Sequence, residues 1–165
     1  MGVAGAGKTT VGSELARELG WKFLDADSFH SSENVAKMRA GEPLSDADRA
    51  PWLAAVRSEM QRAVTDGFNL VLACSALKER YRLELRINPG SNSPGSNSEV
   101  RFVFLKASFE ELRKRLRERT GHFVKESLLE SQIQTLEEPG DAITVDAGLP
   151  VAEIVAEIRL RIREA

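Results

Sequence analysis

The chain has 165 residues, 42% of them hydrophobic, and a formal net charge of −2 at pH 7. This length predicts one domain, residues 1–165, with enough apolar residues for a core. The charge gives no reason to expect nucleic acid or an anionic membrane as a partner. The single cysteine, Cys74, excludes an internal disulfide and suits the cytoplasm, and no apolar run reaches the roughly 20 residues of a membrane span.

A phosphate-binding loop follows Met1. Residues 2–9 read G-V-A-G-A-G-K-T and match G-x-x-x-x-G-K-[ST] at every fixed position. In such a loop the backbone N–H groups face a polyphosphate, the lysine reaches the β- and γ-phosphates, and the last hydroxyl ligates Mg²⁺. We therefore predict a nucleoside triphosphate site, with Lys8 catalytic and Thr9 a metal ligand. The predicted nucleotide-binding residues are Gly2, Val3, Ala4, Gly5, Ala6, Gly7, Lys8, Thr9 and Thr10.

Helices and short apolar strands alternate after the loop. The spacing of apolar residues predicts helices over 8–19, 32–40, 45–65, 77–85 and 128–136, one beginning after Ser108 and one opened by Pro150. Predicted strands lie near 22–24, 68–74, 101–105 and 142–145. This alternation indicates an α/β fold with a parallel sheet covered by helices on both faces. Ligands then bind at the carboxyl ends of the strands, near 25–30, 74–78 and 106–108.

Two segments depart from this pattern. A phosphate-binding loop normally leaves the end of a buried strand, yet only Met1 precedes it here. We expect the natural protein to begin earlier, with an apolar strand that is missing or truncated in this chain. Between the predicted helix 77–85 and strand 101–105, the sequence P-G-S-N-S occurs twice in succession. Its turn-forming, polar residues predict a mobile surface loop over 88–98.

Two carboxylates follow the first predicted strand. Asp25 and Asp27 are two residues apart, so on a regular strand both would point into one cleft. A phosphoryl acceptor needs a carboxylate that orients its hydroxyl and takes its proton, and a second carboxylate can hold Mg²⁺. The two histidines, His30 and His122, have no further histidine or cysteine partner at metal-ligand spacing, which disfavours a site for a transition metal.

These features together resemble the gluconokinases of the small, shikimate-kinase-like type. The stretches that carry the resemblance are 25–38, which begins D-A-D-S-F-H, 41–49, which contains P-L-S-D-A-D-R, P-W-L (51–53), C-S-A-L-K (74–78), Y-R (81–82), G-H-F (121–123) and the segment from Gln132 to Pro139. The resemblance implies a three-layer α/β/α P-loop kinase with sheet order 2-3-1-4-5 and a small helical lid at about 119–128. It also implies ATP and Mg²⁺ as cofactors, a homodimer, and conversion of D-gluconate to 6-phospho-D-gluconate in gluconate degradation, which feeds the pentose phosphate pathway.

The resemblance also implies roles for individual residues. Asp27 would deprotonate the primary hydroxyl of gluconate, and Asp25 would lie near Mg²⁺. The gluconate carboxylate needs a cation, for which Arg49, Lys78 and Arg82 are candidates, with Arg49 and Lys78 favoured. The remaining implied contacts are His30 and Asn34 with sugar hydroxyls, Arg115 with adenine, Arg119 as a catalytic clamp over the phosphates, and His122 with the substrate.

Two other interpretations stay open at this point. A shikimate- or nucleotide-type kinase would share the loop and the aspartate pair, but it does not predict C-S-A-L-K or G-H-F. A chain that binds nucleotide weakly and catalyses nothing is the other alternative. The absent strand suggests this alternative. A central strand of four buried aliphatic residues contributes roughly 6–12 kcal/mol to stability, and a whole domain is stable by only about 5–15 kcal/mol.

Overall fold

The computed structural model of the protein describes residues 1–87, 99–118 and 126–164. The predicted repeat loop at 88–98 and residues 119–125 of the predicted lid lie outside these ranges. None of the helices within them is both long and apolar enough to span a membrane. The elements in chain order are α1 (Lys8–Leu19), β1 (Lys22–Asp25), a 3₁₀ helix (Ala26–Phe29), α2 (Ser32–Ala40), α3 (Asp46–Thr65), β2 (Leu70–Ala73), α4 (Glu79–Leu85), β3 (Val103–Lys106), α5 (Phe109–Glu118), α6 (Glu126–Thr135), β4 (Ile143–Asp146) and α7 (Val151–Glu164).

Local capping interactions explain most helix ends. Gly20 adopts a left-handed conformation at the end of α1, with φ 68°, and its N–H bonds back to the last turn. Ser45 and Asp48 form a capping box at the start of α3, where the helix was predicted to begin. Ser108 and Glu111 exchange the same pair of hydrogen bonds at α5. These predicted helix starts and ends are confirmed, whereas the strand predicted over 68–74 is shorter, Leu70–Ala73.

The strands form two parallel pairs. β1 pairs with β2 in a register that places Lys22 opposite Leu70. β3 pairs with β4, with Val103 opposite Ile143. Both pairs are connected through helices, as parallel strands require. The predicted α/β architecture is therefore confirmed, and the carboxyl ends of the strands lie beside the phosphate loop.

The backbone of Met1 and Gly2 lies between the two pairs. The Met1 amino group donates to the carbonyl of Val103, and the N–H of Leu105 donates to the Met1 carbonyl over 3.0 Å. On the other side, the N–H of Gly2 donates to the Ser75 carbonyl over 3.2 Å. The described residues thus give the order β1, β2, residues 1–2, β3, β4. In the expected order 2-3-1-4-5, strand 1 is the strand that precedes the phosphate loop. Residues 1–2 occupy that central position, and β1, β2, β3 and β4 correspond to strands 2, 3, 4 and 5, so the observed order agrees with the expected one.

Two apolar clusters hold the sheet and the phosphate loop. The larger cluster joins the loop to α1, β3, β4, α6 and α7. Its buried members include Val3, Ala6, Leu15, Leu105, Leu129, Val145 and Ile154. The second cluster joins the 3₁₀ helix to α3 and α4 and includes Ala26, Trp52, Val56, Tyr81 and Leu85. Because Val3 and Ala6 belong to the larger cluster, the phosphate loop is anchored in the core by its own side chains.

Candidate active site

The phosphate loop has the backbone that its sequence predicts. Gly5 and Gly7 have φ values of 84° and 88°, a region that disfavours side chains. A Cβ on Gly5 would lie 3.3 Å from the Leu112 carbonyl oxygen, so the loop packs directly against α5. The Lys8 ammonium donates to the Val3 carbonyl over 3.1 Å and therefore lies over the loop. The glycines, the lysine and the start of α1 together form a cradle for phosphate.

Thr9 connects the loop to the end of β1. Its hydroxyl donates to the Asp25 carboxylate over 2.7 Å. These two residues are the predicted Mg²⁺ ligands, and the structure brings them into direct contact. Both offer oxygen atoms, which are the ligands that Mg²⁺ prefers. The pair thus fits a Mg²⁺ site at the start of α1, where Thr10 also lies exposed.

The expected strand geometry of the aspartate pair is wrong. β1 ends at Asp25, and Asp27 lies in the first turn of the 3₁₀ helix. The Asp25 carboxylate caps that turn by accepting the N–H of Asp27 over 3.0 Å. This short-range hydrogen bond stops the strand, because aspartate competes with the sheet by bonding its own backbone. Asp27 is exposed beside the cradle, just after the end of β1, where the phosphoryl acceptor is expected to bind.

His30 lies against Trp52 beside this turn. The two rings are stacked, with centroids 4.6 Å apart, and the Trp52 indole donates to the Ala26 carbonyl over 2.7 Å. Burial lowers the pKa of His30 below its ordinary value, an effect opposed by nearby Asp27 and reinforced by Arg49. Its Nδ1 is buried without a hydrogen-bond partner among the described residues. A neutral imidazole with an open nitrogen can serve a sugar hydroxyl.

Asn34 is more buried than its predicted role suggests. Its side-chain amide donates to the Asp48 carbonyl over 2.8 Å and joins α2 to α3. Only 6% of the residue is exposed. Its contact with a sugar hydroxyl stays a prediction, for which the amide oxygen and the second N–H of the amide are the available groups.

A cationic cluster lies around Tyr81 at the start of α4. We define it as Arg49, Lys78 and Arg80, whose charged groups lie 5.7, 5.7 and 5.2 Å from the Tyr81 ring centroid. One carboxylate, Asp46, accepts hydrogen bonds from the Tyr81 hydroxyl and from Lys78, and forms an ion pair with Arg80. Asp46 contacts two of these three cations, whereas Arg49 donates to the Leu44 carbonyl over 3.3 Å, so the cationic cluster has an excess of positive charge.

Arg82 does not belong to this cluster. It is 5% exposed, and its guanidinium donates to the carbonyls of Ala76 and Leu77 over 3.1 and 3.2 Å. Ala76 has φ 45°, an unusual value for a residue with a side chain. Arg82 therefore supports the strained turn of the C-S-A-L-K stretch from within, and the geometry does not favour it as a substrate ligand.

A cavity of about 300 Å³ opens between the phosphate loop, α5 and the start of α7. Its lining includes Gly5, Gly7, Arg115, Leu149 and Ile154. Arg115 donates to the Ala147 carbonyl over 2.6 Å, which fixes the guanidinium at the cavity wall. The lining also includes the polar residues Thr10 and Glu118. Its apolar side chains and the planar guanidinium of Arg115 suit a purine base.

Two predicted site residues lie outside the part of the chain that the structure describes, and three residues near the site were not predicted. Arg119 and His122 lie outside the described residues, and their predicted roles stay predictions. Arg80, Asp46 and Tyr81 were not predicted as site residues. The available signal for Tyr81 was its place in the stretch Y-R (81–82), which is one of those that carry the resemblance. Nothing local to Asp46 indicates its contacts, because they join residues 32 to 35 positions apart.

Comparisons with known proteins agree with this geometry. A family model described as shikimate kinase matches residues 4–161. The gluconokinase of Gluconobacter oxydans strain 621H is 49% identical, over 86% of this chain and 75% of its own. The probable gluconokinase of Xenopus tropicalis is 46% identical, over 96% of this chain and 88% of its own. A solved structure of a gluconokinase from Sinorhizobium meliloti 1021 matches with a TM-score of 0.80 and 42% identity, covering 99% of this chain and 91% of that one.

Proposed function

The chain belongs to the shikimate kinase family and to its gluconokinases, and we propose that it transfers the γ-phosphoryl group of ATP to the primary hydroxyl of D-gluconate. The products are 6-phospho-D-gluconate and ADP. The names of the relatives favour gluconate over shikimate or a nucleotide as the acceptor. A cytoplasmic location, a homodimer and a role in gluconate degradation are proposals that follow from the same resemblance.

The observation that carries this proposal is the cationic cluster beside the phosphate loop. Gluconate is an anion with a chain of hydroxyl groups. The excess positive charge of Arg49, Lys78 and Arg80 suits its carboxylate, and all three cations lie around the buried Tyr81. A neutral sugar would gain little from such a cluster. The geometry thus supports an acidic acceptor, and His30 supports contact with its hydroxyl groups.

The chemical step requires a base, charge neutralisation and alignment. Asp27 accepts the proton of the primary hydroxyl as that oxygen attacks the γ-phosphorus, and the bond to the bridging oxygen of ADP breaks. Lys8 and the N-terminus of α1 balance the charge on the transferred phosphoryl group. Thr9 and Asp25 would hold Mg²⁺, which neutralises charge on the nucleotide phosphates when bound. Arg115 supports the base of ATP at the cavity wall.

The test is a coupled assay of ADP release with gluconate as acceptor. We expect turnover that depends on gluconate, and a product with phosphate on the primary carbon by phosphorus-31 NMR. The Asp27→Asn variant should lower kcat by about 10²- to 10⁴-fold and leave the affinity for ATP nearly unchanged. Asp66→Asn, a substitution at the end of α3, is the matched control. A variant Asp27→Asn with normal kcat would exclude Asp27 as the base.

A further inference from the structure

The phosphate loop is held from outside by the side chain of Gln132. The backbone N–H of Ala4 donates to Gln132 Oε1 over 2.7 Å, across 128 positions of sequence. Ala4 is the third residue of the phosphate loop, and Gln132 lies in α6. This side-chain contact joins the loop to a helix that contributes no residue to the phosphate-loop motif itself.

Gln132 occupies a position on α6 that packing would assign to an apolar residue. Leu128 and Leu129 are buried, and Ile133 and Leu136 pack against the larger core cluster. At helical spacing, residue 132 lies on the same face as these four. A polar side chain on an apolar face loses solvation unless it finds a partner. Ala4 provides that partner, whereas Gln134, on the other face of α6, is exposed.

The hydrogen bonds of the loop divide its N–H groups into two sets. The N–H groups of Ala4 and Ala6 are bound within the protein, to Gln132 and to the Val3 carbonyl respectively. In the described part of the chain, the N–H groups of Gly5 and Gly7 donate no hydrogen bond. The bound groups fix the loop, and the open ones are available to phosphate oxygens.

We propose that Gln132 is a positioning residue for the polyphosphate of the nucleotide. It holds Ala4 so that the neighbouring N–H groups are already oriented when the nucleotide arrives. Preorganisation of this kind improves affinity by reducing the ordering that binding would otherwise require. The inference rests on the phosphate loop as a nucleotide site and not on gluconate as the acceptor.

The experiment uses the full chain without acceptor. Gln132→Met keeps the length of the side chain and removes the acceptor oxygen, and Gln134→Met is the matched control on the exposed face of α6. Binding of adenosine, MgADP and a non-hydrolysable MgATP analogue is measured by calorimetry. Hydrogen exchange at the Ala4 amide is followed by NMR in the ligand-free protein.

We expect Gln132→Met to weaken MgADP and the MgATP analogue by about three- to tenfold, as for one neutral hydrogen bond. Adenosine affinity should stay unchanged, and the Ala4 amide should exchange faster. Affinities equal to those of Gln134→Met would overturn the inference, and so would an equal loss for adenosine, which indicates a general structural effect. Neither outcome depends on whether gluconate is phosphorylated.

Discussion

Replacement of Lys78 by methionine tests the cationic cluster most sharply. The side chain of Lys78 is 28% exposed, and its ammonium lies 3.1 Å from the Asp46 carboxylate. Methionine keeps most of the length and removes the charge. The variant therefore isolates the contribution of one cation to binding an acidic acceptor.

The expected magnitude follows from two contributions. The ion pair with Asp46 is partly solvated, because 49% of the Asp46 side chain is exposed, so its loss changes stability by about 0–1 kcal/mol. A charge-assisted hydrogen bond to a bound carboxylate contributes about 1.5–3 kcal/mol. This corresponds to a loss of roughly 10- to 150-fold in kcat/KM for gluconate. The larger contribution belongs to the acceptor, so the variant should fold normally and bind ATP normally.

The assay compares gluconate with D-glucitol, a polyol of the same length without the carboxylate. Lys78→Met should lower kcat/KM for gluconate and leave the slow turnover of D-glucitol nearly unchanged. Arg86→Met is the control. Arg86 follows the last residue of α4, at the opposite end from Lys78, and pairs with Asp141. Its replacement should change kcat/KM for neither acceptor. An equal loss for both acceptors, or no loss for gluconate, would refute the assignment of Lys78 to the carboxylate.

Three further predictions concern the loop and two titrating groups. Gly5→Ala should destabilise the fold and weaken ATP binding, because its φ of 84° is strained for a residue with a Cβ and that Cβ would lie only 3.3 Å from the Leu112 carbonyl oxygen. Gly67→Ala, with φ 71° and open space, should cost about 1–2 kcal/mol of stability alone. Since burial lowers the pKa of His30, acidification through its ordinary value of 6.5 should destabilise the protein, and His30→Phe should reduce that loss in thermal unfolding. A hydrogen bond from Lys37 lowers the pKa of Asp48 to about 2, so its stabilising effect is present above 3.8 and disappears as the pH falls to about 2. The unfolding midpoint of Asp48→Asn should therefore converge with that of the parent only at the acid end of a pH series.

Local interactions explain what the sequence predicted correctly. The ends of α1, α2 and α3 depend on caps within a few residues, such as Ser45 with Asp48. The phosphate loop follows its motif because glycine positions and the start of α1 dictate its backbone. Thr9 and Asp25 were also predicted together, since a loop and a neighbouring strand end must meet in this fold.

Errors and omissions arose where local chemistry or distant contacts decide. The position of Asp27 depends on whether Asp25 continues the strand or caps a turn, and strand periodicity does not describe that competition. Arg82 has the charge of a ligand, but its contacts with two backbone carbonyls appear only in the folded chain. The contacts of Asp46 and Gln132 join residues far apart in sequence, which no single helix pattern contains.

The most direct test of the proposed activity is a competition for limiting ATP. The protein is given equal concentrations of D-gluconate, shikimate and cytidine monophosphate, whose diphosphate product differs in mass from the ADP that every turnover releases, and the phosphorylated products are identified by mass spectrometry. Gluconate kinase activity predicts that phosphogluconate is the dominant product, and that its share falls in Lys78→Met. Preferential phosphorylation of shikimate or the nucleotide, or ADP release that does not depend on any acceptor, would contradict the account.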